Sequence, residues 1–187
     1  MIIFIAGASH VGKTKLAQRM LERLRYPTLS IDHVKMGLIR AGLVGDLTAD
    51  ADDDAITAAV WPVVREIVKT AIENNQNLIV EGSYIPPTWR DDFTWPYLQR
   101  IVYCCLAMTP EYIRANMPAI LMHADDIERR LDDSWVTQES LIADNLEVLR
   151  RARRHELPVT LIGGDETYDD VIARTELELT RACLGEF

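Results

Sequence analysis

Gly7-Ala8-Ser9-His10-Val11-Gly12-Lys13-Thr14 fills every fixed position of the pattern G-x-x-x-x-G-K-[ST], and its surroundings give the match its weight. The stretch follows directly on an apolar run, Ile2-Ile3-Phe4-Ile5-Ala6. It opens a segment in which Leu16, Ala17, Met20, Leu21 and Leu24 recur at helical spacing. A strand that feeds a helix through such a loop is built to trap an anion. Gly7 and Gly12 permit torsions and a close approach that a Cβ would obstruct. The intervening N–H groups of Ala8, Ser9, His10 and Val11 form a concave nest, and the helix adds its positive end. Lys13 places a cation near the β- and γ-phosphates, and Thr14 offers a hydroxyl to Mg²⁺. The expected ligands are therefore ATP and Mg²⁺. His10 occupies a variable position of the pattern, so its identity adds little.

Working outward, four further runs share the continuous apolarity of the first. The five runs cover residues 2–6, 28–31, 77–80, 101–106 and 159–162. Apolarity without alternation is the mark of a parallel strand covered on both faces. Helical periodicity fills the gaps at 13–24, 55–73, 139–155 and 168–184. Alternating strand and helix predicts a layered α/β fold with a parallel sheet and right-handed crossovers. No linker or repeat interrupts it, so residues 1–187 read as one domain. The segment 110–140 is polar, bears arginines and falls between the last two strands. It reads as a mobile lid, with a plain pair of crossover helices as the alternative.

Ligands of open parallel sheets bind at the carboxyl ends of the strands, and two acids stand there. Asp32 follows Thr28-Leu29-Ser30-Ile31, and Glu81 follows Leu78-Ile79-Val80. A carboxylate so placed can hold the hydration shell of Mg²⁺ or take a proton from an attacking hydroxyl. Asp32 is assigned to the acceptor and Glu81 to the metal, with a helix N-cap as the alternative for Asp32. Arg40 and Arg90 are candidates to grip a carboxylate or phosphate of the acceptor. Arg129 and Arg130, in the expected lid, are candidates to close on the transferring group. Arg150, Arg151, Arg153 and Arg154 end a helix, where cations oppose its dipole. The acidic stretch containing Asp46, Asp50, Asp52, Asp53 and Asp54 does not fit a calcium loop. Ala55 stands where that loop needs glycine, and Trp61 where it needs glutamate. It reads as a solvated loop leading into a helix.

The net charge of −9 disfavours a nucleic-acid partner, whose phosphates call for a positive field. No run approaches the ~20 apolar residues of a membrane span, and the amino terminus has no basic flank of a signal peptide. The chain therefore reads as cytoplasmic, with a nucleotide and a small molecule as partners and its oligomeric state open. Cys104, Cys105 and Cys183 make neither a disulfide framework nor a metal-ligand spacing.

With the loop, Asp32, Glu81-Gly82 and the arginine-bearing insert in place, the chain resembles the P-loop small-molecule kinases of the nucleoside monophosphate kinase-like superfamily. That group includes the nucleoside monophosphate, shikimate and gluconate kinases, chloramphenicol phosphotransferase and the zeta toxins. Ile79-Val80-Glu81-Gly82-Ser83-Tyr84-Ile85-Pro86 is also similar to the third-strand segment of 2-phosphoglycerate kinases. The resemblance implies a three-layer fold with a five-stranded parallel sheet in the order 2-3-1-4-5, an acceptor pocket beside the second strand and a closing lid. It also implies adenine contact in the loop Gly163-Gly164-Asp165, here assigned to Gly164. The sequence departs from the group at Glu81, where aspartate is usual, and it lacks the aspartate–glycine–x–proline–arginine run of adenylate-type kinases. The guanine-reading N-K-x-D run of GTPases is also missing, which favours ATP. The expected activity is transfer of the γ-phosphoryl group of ATP to a hydroxyl or phosphate of a small molecule, with Lys13, Asp32, Arg129 and Arg130 as catalytic residues. The alternatives are a nucleotide-binding regulatory ATPase or switch acting through a protein partner, and a toxin-like kinase acting on a nucleotide sugar.

Overall fold

The computed structural model describes residues 1–123 and 136–185. In it the amino-terminal run becomes the centre of the sheet, because all of β1 (Ile2–Gly7) is buried and neither face can meet water. β1 pairs with β3 (Leu78–Glu81) on one side and β4 (Ile101–Met108) on the other. β2 (Thr28–Ser30) lies beyond β3, and β5 (Thr160–Ile162) lies beyond β4. Every pairing is parallel, and the five-stranded sheet runs β2-β3-β1-β4-β5. This is the order that the resemblance implies.

Successive side chains of β1 point to opposite faces, so two cores form. Ile3 and Ile5 pack with Leu16 and Met20 of α1 (Lys13–Leu24) and with Val171 and Ile172 of α7 (Tyr168–Leu184). Ile2 and Phe4 pack with Ile31 of α2 (Ile31–Arg40) and with Ile56, Val60 and Val64 of α3 (Asp53–Glu73). Phe4 is fully buried, with its ring 5.9 Å from Trp61, 5.2 Å from Trp89 and 6.2 Å from Phe93. Trp89 belongs to a short 3₁₀ turn, Trp89–Asp92, which precedes the one-turn helix α4 (Trp95–Leu98).

The helices follow their caps. α3 begins where the Asp52 carboxylate accepts the N–H groups of Asp54 at 2.9 Å and Ala55 at 3.4 Å. The acidic stretch is therefore a helix entrance as well as a loop. α5 (Pro110–Met122) starts behind Thr109, and α6 (Gln138–Arg154) starts with a reciprocal Thr137–Ser140 box. The lid expected at 110–140 includes α5 and the start of α6. Residues 124–135, with Arg129 and Arg130, lie outside the described residues. Among the described residues no helix is long and apolar enough to cross a membrane.

One boundary moves in a way that matters for the site. β2 ends at Ser30, and Ile31 is already the first residue of α2, so Asp32 sits in the first turn of that helix. The strand-end position expected for it is corrected: Asp32 lies two residues past the end of β2, as the second residue of α2. The cap position is held by Ser30, whose side chain makes no capping bond.

Cys104 and Cys105 are buried on opposite faces of β4. Burial pushes the Cys104 thiol from 9.0 up to about 12 and that of Cys105 up to about 11. Neither thiol should alkylate with iodoacetamide at about pH 8 in the native protein, whereas both should in denaturant. The unfolded chain loses these protons first, so stability falls as pH rises past about 8.5 and levels off once the native thiols ionise. Mass spectrometry of the alkylated native protein and denaturant melts across that range check both statements. Rapid native labelling of either residue would contradict them.

Candidate active site

At the carboxyl end of β1 the chain leaves the sheet through Gly7, whose φ of +140° suits glycine. A side chain there would run into the carbonyl oxygen of Leu106 on β4, and that oxygen instead accepts the Ala8 N–H at 3.3 Å. The loop then curls over the start of α1. Ala8 and Val11 are fully buried beneath it. His10 adopts a φ of +61° and shares a 2.8 Å hydrogen bond between its Nδ1 and Ser9 Oγ. Gly12, at φ +89°, closes the turn against Tyr168, the first residue of α7. The Lys13 ammonium folds back onto the Ala8 carbonyl at 2.6 Å.

The pairing of β1 with β3 sets Ile5 opposite Glu81, which brings that acid to the loop. Glu81 is buried, and the Thr14 hydroxyl donates to its Oε2 at 3.4 Å. Expected as separate contributors to one ion, the two do meet. Glycine at position 82, with φ +154°, lets the chain pass Ile31, whose Cβ would stand 2.8 Å from a Cβ there.

On the other side, α6 reaches the loop at Ser9 and α3 shares a cavity lining with Gly7, while α2 packs on α3. Lys35 of α2 is buried and donates to Tyr84 Oη at 3.1 Å, with its ammonium 4.9 Å from the ring centre. It also pairs with Asp32 at 2.8 Å. Burial works against its charge, and the bonds to Asp32 and Tyr84 outweigh that, so the ammonium is held above its ordinary value. Asp144 of α6 accepts the Ser9 N–H at 2.8 Å, placing a carboxylate on the nest itself. Asn145, wholly buried beside it, accepts the Met108 N–H at 2.7 Å and fixes α6 to the end of β4.

Between these elements lies a cavity of about 150 Å³. Its floor is Ala6, Gly7, Tyr103 and Cys105, and its walls include Asp53, Ser83, Pro86, Asp144 and Arg151. Larger grooves exist on the surface, but they lie at the opposite end of the sheet or along β5, away from the loop.

The residues expected from sequence thus divide. Gly7, Gly12, Lys13, Thr14 and Glu81 converge, whereas Asp32 pairs with Lys35, which bonds Tyr84 three residues beyond Glu81, and it does not line the cavity. Gly164 lies in the β5–α7 loop at φ +84°, four residues before Tyr168. Arg40 is an exposed residue at the end of α2, and Arg90 is exposed with its guanidinium 5.5 Å from the Trp89 ring centre. Neither lines the cavity. Arg151 does, and its guanidinium bonds Asp54 at 2.8 Å and Glu147 at 2.6 Å, a more specific role than opposing a helix dipole. Lys35, Tyr84 and Asp144 were not expected, and Asp53, read as part of a solvated loop, lines the cavity from the first turn of α3. The i,i+3 spacing of Asp32 and Lys35 is the one local signal that could have found any of them.

No family model matches the chain, and no curated protein matches it by sequence. Solved structures do. A gluconokinase from Sinorhizobium meliloti 1021 superposes with a TM-score of 0.58 at 16% identity, over 98% of this chain and 93% of that one. A shikimate kinase from Bacteroides thetaiotaomicron gives 0.57 at 16% identity, over 96% and 98%. A deoxyadenosine kinase from M. mycoides gives 0.55 at 10% identity, over 96% and 99%. The chain has the nucleoside monophosphate kinase-like P-loop fold. At these identities the fold is what is shared, and this P-loop protein's chemistry must be read from its own residues.

Gly12 offers a test of the loop. An alanine there takes on a left-handed torsion costing about 1–2 kcal/mol and meets the Tyr168 hydroxyl as well. Gly12→Ala should lower stability by that amount or more and weaken nucleotide binding at least about tenfold. Adding Tyr168→Ala should recover only the part due to the clash. Chemical melts and calorimetry on the two variants separate the terms.

Proposed function

We propose that this P-loop protein is an ATP-dependent kinase that transfers the γ-phosphoryl group to a small-molecule acceptor seated in the cavity beside the loop. One observation carries the reading. The complete phosphate loop has the buried Glu81 carboxylate on one flank and opens on the other into a cavity with polar walls. A site for phosphates alone would need no second compartment.

Thr14 and Glu81 fit Mg²⁺, being two oxygen donors within 3.4 Å of each other beside the nest. When bound, the ion screens the phosphate charge that builds up during transfer. The chain's own groups do the rest. The loop amides hold the β- and γ-phosphates, and Lys13 exchanges the Ala8 carbonyl for them. Asp32, held by Lys35 outside the lining of the cavity, orients an acceptor hydroxyl that projects from the cavity toward α2. As the acceptor oxygen bonds to the γ-phosphorus, the bond to the β-phosphate oxygen breaks, ADP leaves, and the hydroxyl proton passes to Asp32.

Two substitutions test this. Lys13→Ala should abolish phosphoryl transfer in a protein that still folds, and undiminished turnover would remove the loop from the mechanism. Asp32→Asn should bind ATP nearly normally and lose about 10²–10⁴-fold in acceptor-stimulated ADP release. A large loss of Mg²⁺-ATP affinity in Asp32→Asn would move that residue to the metal. ATP binding with no turnover in the presence of any acceptor would favour a nucleotide-dependent switch instead.

A further inference from the structure

Lys35 holds a charge in a place that works against charge. It is only 9% exposed and belongs with Ile31, Val34 and Leu38, the side chains that α2 lends to the core. Its ammonium is gripped from two sides. Asp32, one turn earlier on the same helix, takes it at 2.8 Å, and the Tyr84 hydroxyl accepts from it at 3.1 Å. Burial holds the Tyr84 phenol above its ordinary value against the pull of Lys35, so Tyr84 serves as a neutral acceptor. The Asp32 carboxylate, at the other end of the chain of bonds, is half-exposed. The charge is also felt at the cavity wall. Burial and the charges of Asp144 and Asp52 raise the Asp53 carboxyl, and Lys35 leads the groups that pull it back.

A buried ion pair is a poor way to stabilise a fold. Desolvation offsets its attraction, and apolar side chains of similar volume do as well or better. What this pair supplies is geometry. Tyr84 stands three residues beyond Glu81, on the segment that leaves β3, and Lys35 ties the Asp32 carboxylate to it. The same turn of α2 meets that segment at a second point, where Ile31 packs against the backbone at Gly82. Taking the kinase reading above as its basis, we propose that Lys35 and Tyr84 are positioning residues for Asp32. They hold the carboxylate that orients the acceptor hydroxyl in fixed relation to the strand that supplies Glu81, with no gain in stability. Lys35 acts through Asp32 and touches neither nucleotide nor acceptor.

The experiment follows ADP release from Mg²⁺-ATP by the full-length protein, with ATP binding measured by calorimetry on the same preparation. The acceptor is whichever of a sugar, a sugar acid, a nucleoside and an amino alcohol stimulates release most, with water alone as the reference. Lys35→Met keeps an unbranched side chain against the Tyr84 ring, and it strands no buried charge because Asp32 reaches water. It should melt at or above the wild-type temperature and lose at least about tenfold in kcat, with KM for ATP unchanged. Tyr84→Phe, which keeps the ring and removes the hydroxyl, should lose kcat in the same direction by less. In an Asp32→Asn background, Lys35→Met should cost less than about twofold more, because nothing is left for it to position. Wild-type kcat in Lys35→Met overturns the inference and leaves the kinase reading standing. So does a loss in KM for ATP instead of kcat, an equal loss in both backgrounds, a lower melting temperature, or undiminished turnover in Asp32→Asn. Wild-type protein that fails to bind ATP, or binds it and releases no ADP with any of these compounds, overturns the kinase reading, and this inference falls with it.

Discussion

Gly7 and Leu106 approach so closely that the sheet has no room for a side chain between them. The chain can turn out of the sheet only at that point, with the torsion that Gly7 supplies. The Leu106 carbonyl then accepts the Ala8 N–H, so the first turn of the loop is anchored to the neighbouring strand. The next amide, that of Ser9, donates to Asp144 of α6. The register that pairs Ile5 with Glu81 brings the buried carboxylate to the same level as Thr14. Nest, hydroxyl and acid are thus consequences of one strand having neighbours on both sides and ending in glycine.

The same physics explains how far the fold was legible in the sequence. Apolar runs report burial on both faces, and β1, α1 and α7 stand where their patterns put them. Burial does not report conformation. Ile31 reads as the end of a strand because it is apolar, yet it is buried as the first residue of α2, packed against the backbone at Gly82. β4 continues past its expected end because Ala107 and Met108 pair with Leu161 and Ile162 of β5, a partner no local pattern announces. The 3₁₀ turn and α4 are too short to show a period at all.

The site was legible where one segment supplies it and illegible where the chain must return. The phosphate loop is local, and Glu81 follows its strand directly. Lys35 looks like an ordinary surface position of an amphipathic helix, and only the Tyr84 ring, 49 residues on, buries it. Arg151 looks like a helix-end cation until Asp54, 97 residues earlier, is placed against it. Spacing in sequence says that an arginine exists, and tertiary structure decides whether it is free to grip an anion. That is why Arg40 and Arg90, reasonable by position, do not line the cavity, whereas Arg151 does.

A chain of net charge −9 holds a triphosphate nest without contradiction, because the nest is made of backbone dipoles. Those dipoles are fixed by the turn and act at hydrogen-bond range, where the net charge of a distant surface is screened within about 8 Å. The protein supplies its own evidence that the nest attracts anions, since the Ser9 N–H already holds the Asp144 carboxylate at 2.8 Å. Asp144 lies on α6, whose next residue, Asn145, is tied to the end of β4. A phosphate oxygen arriving at the same N–H competes with that carboxylate and repels it. The Ser9 N–H is thus a point at which the nest and the α6 wall of the cavity meet, and any anion taking that donor must displace the carboxylate that α6 supplies.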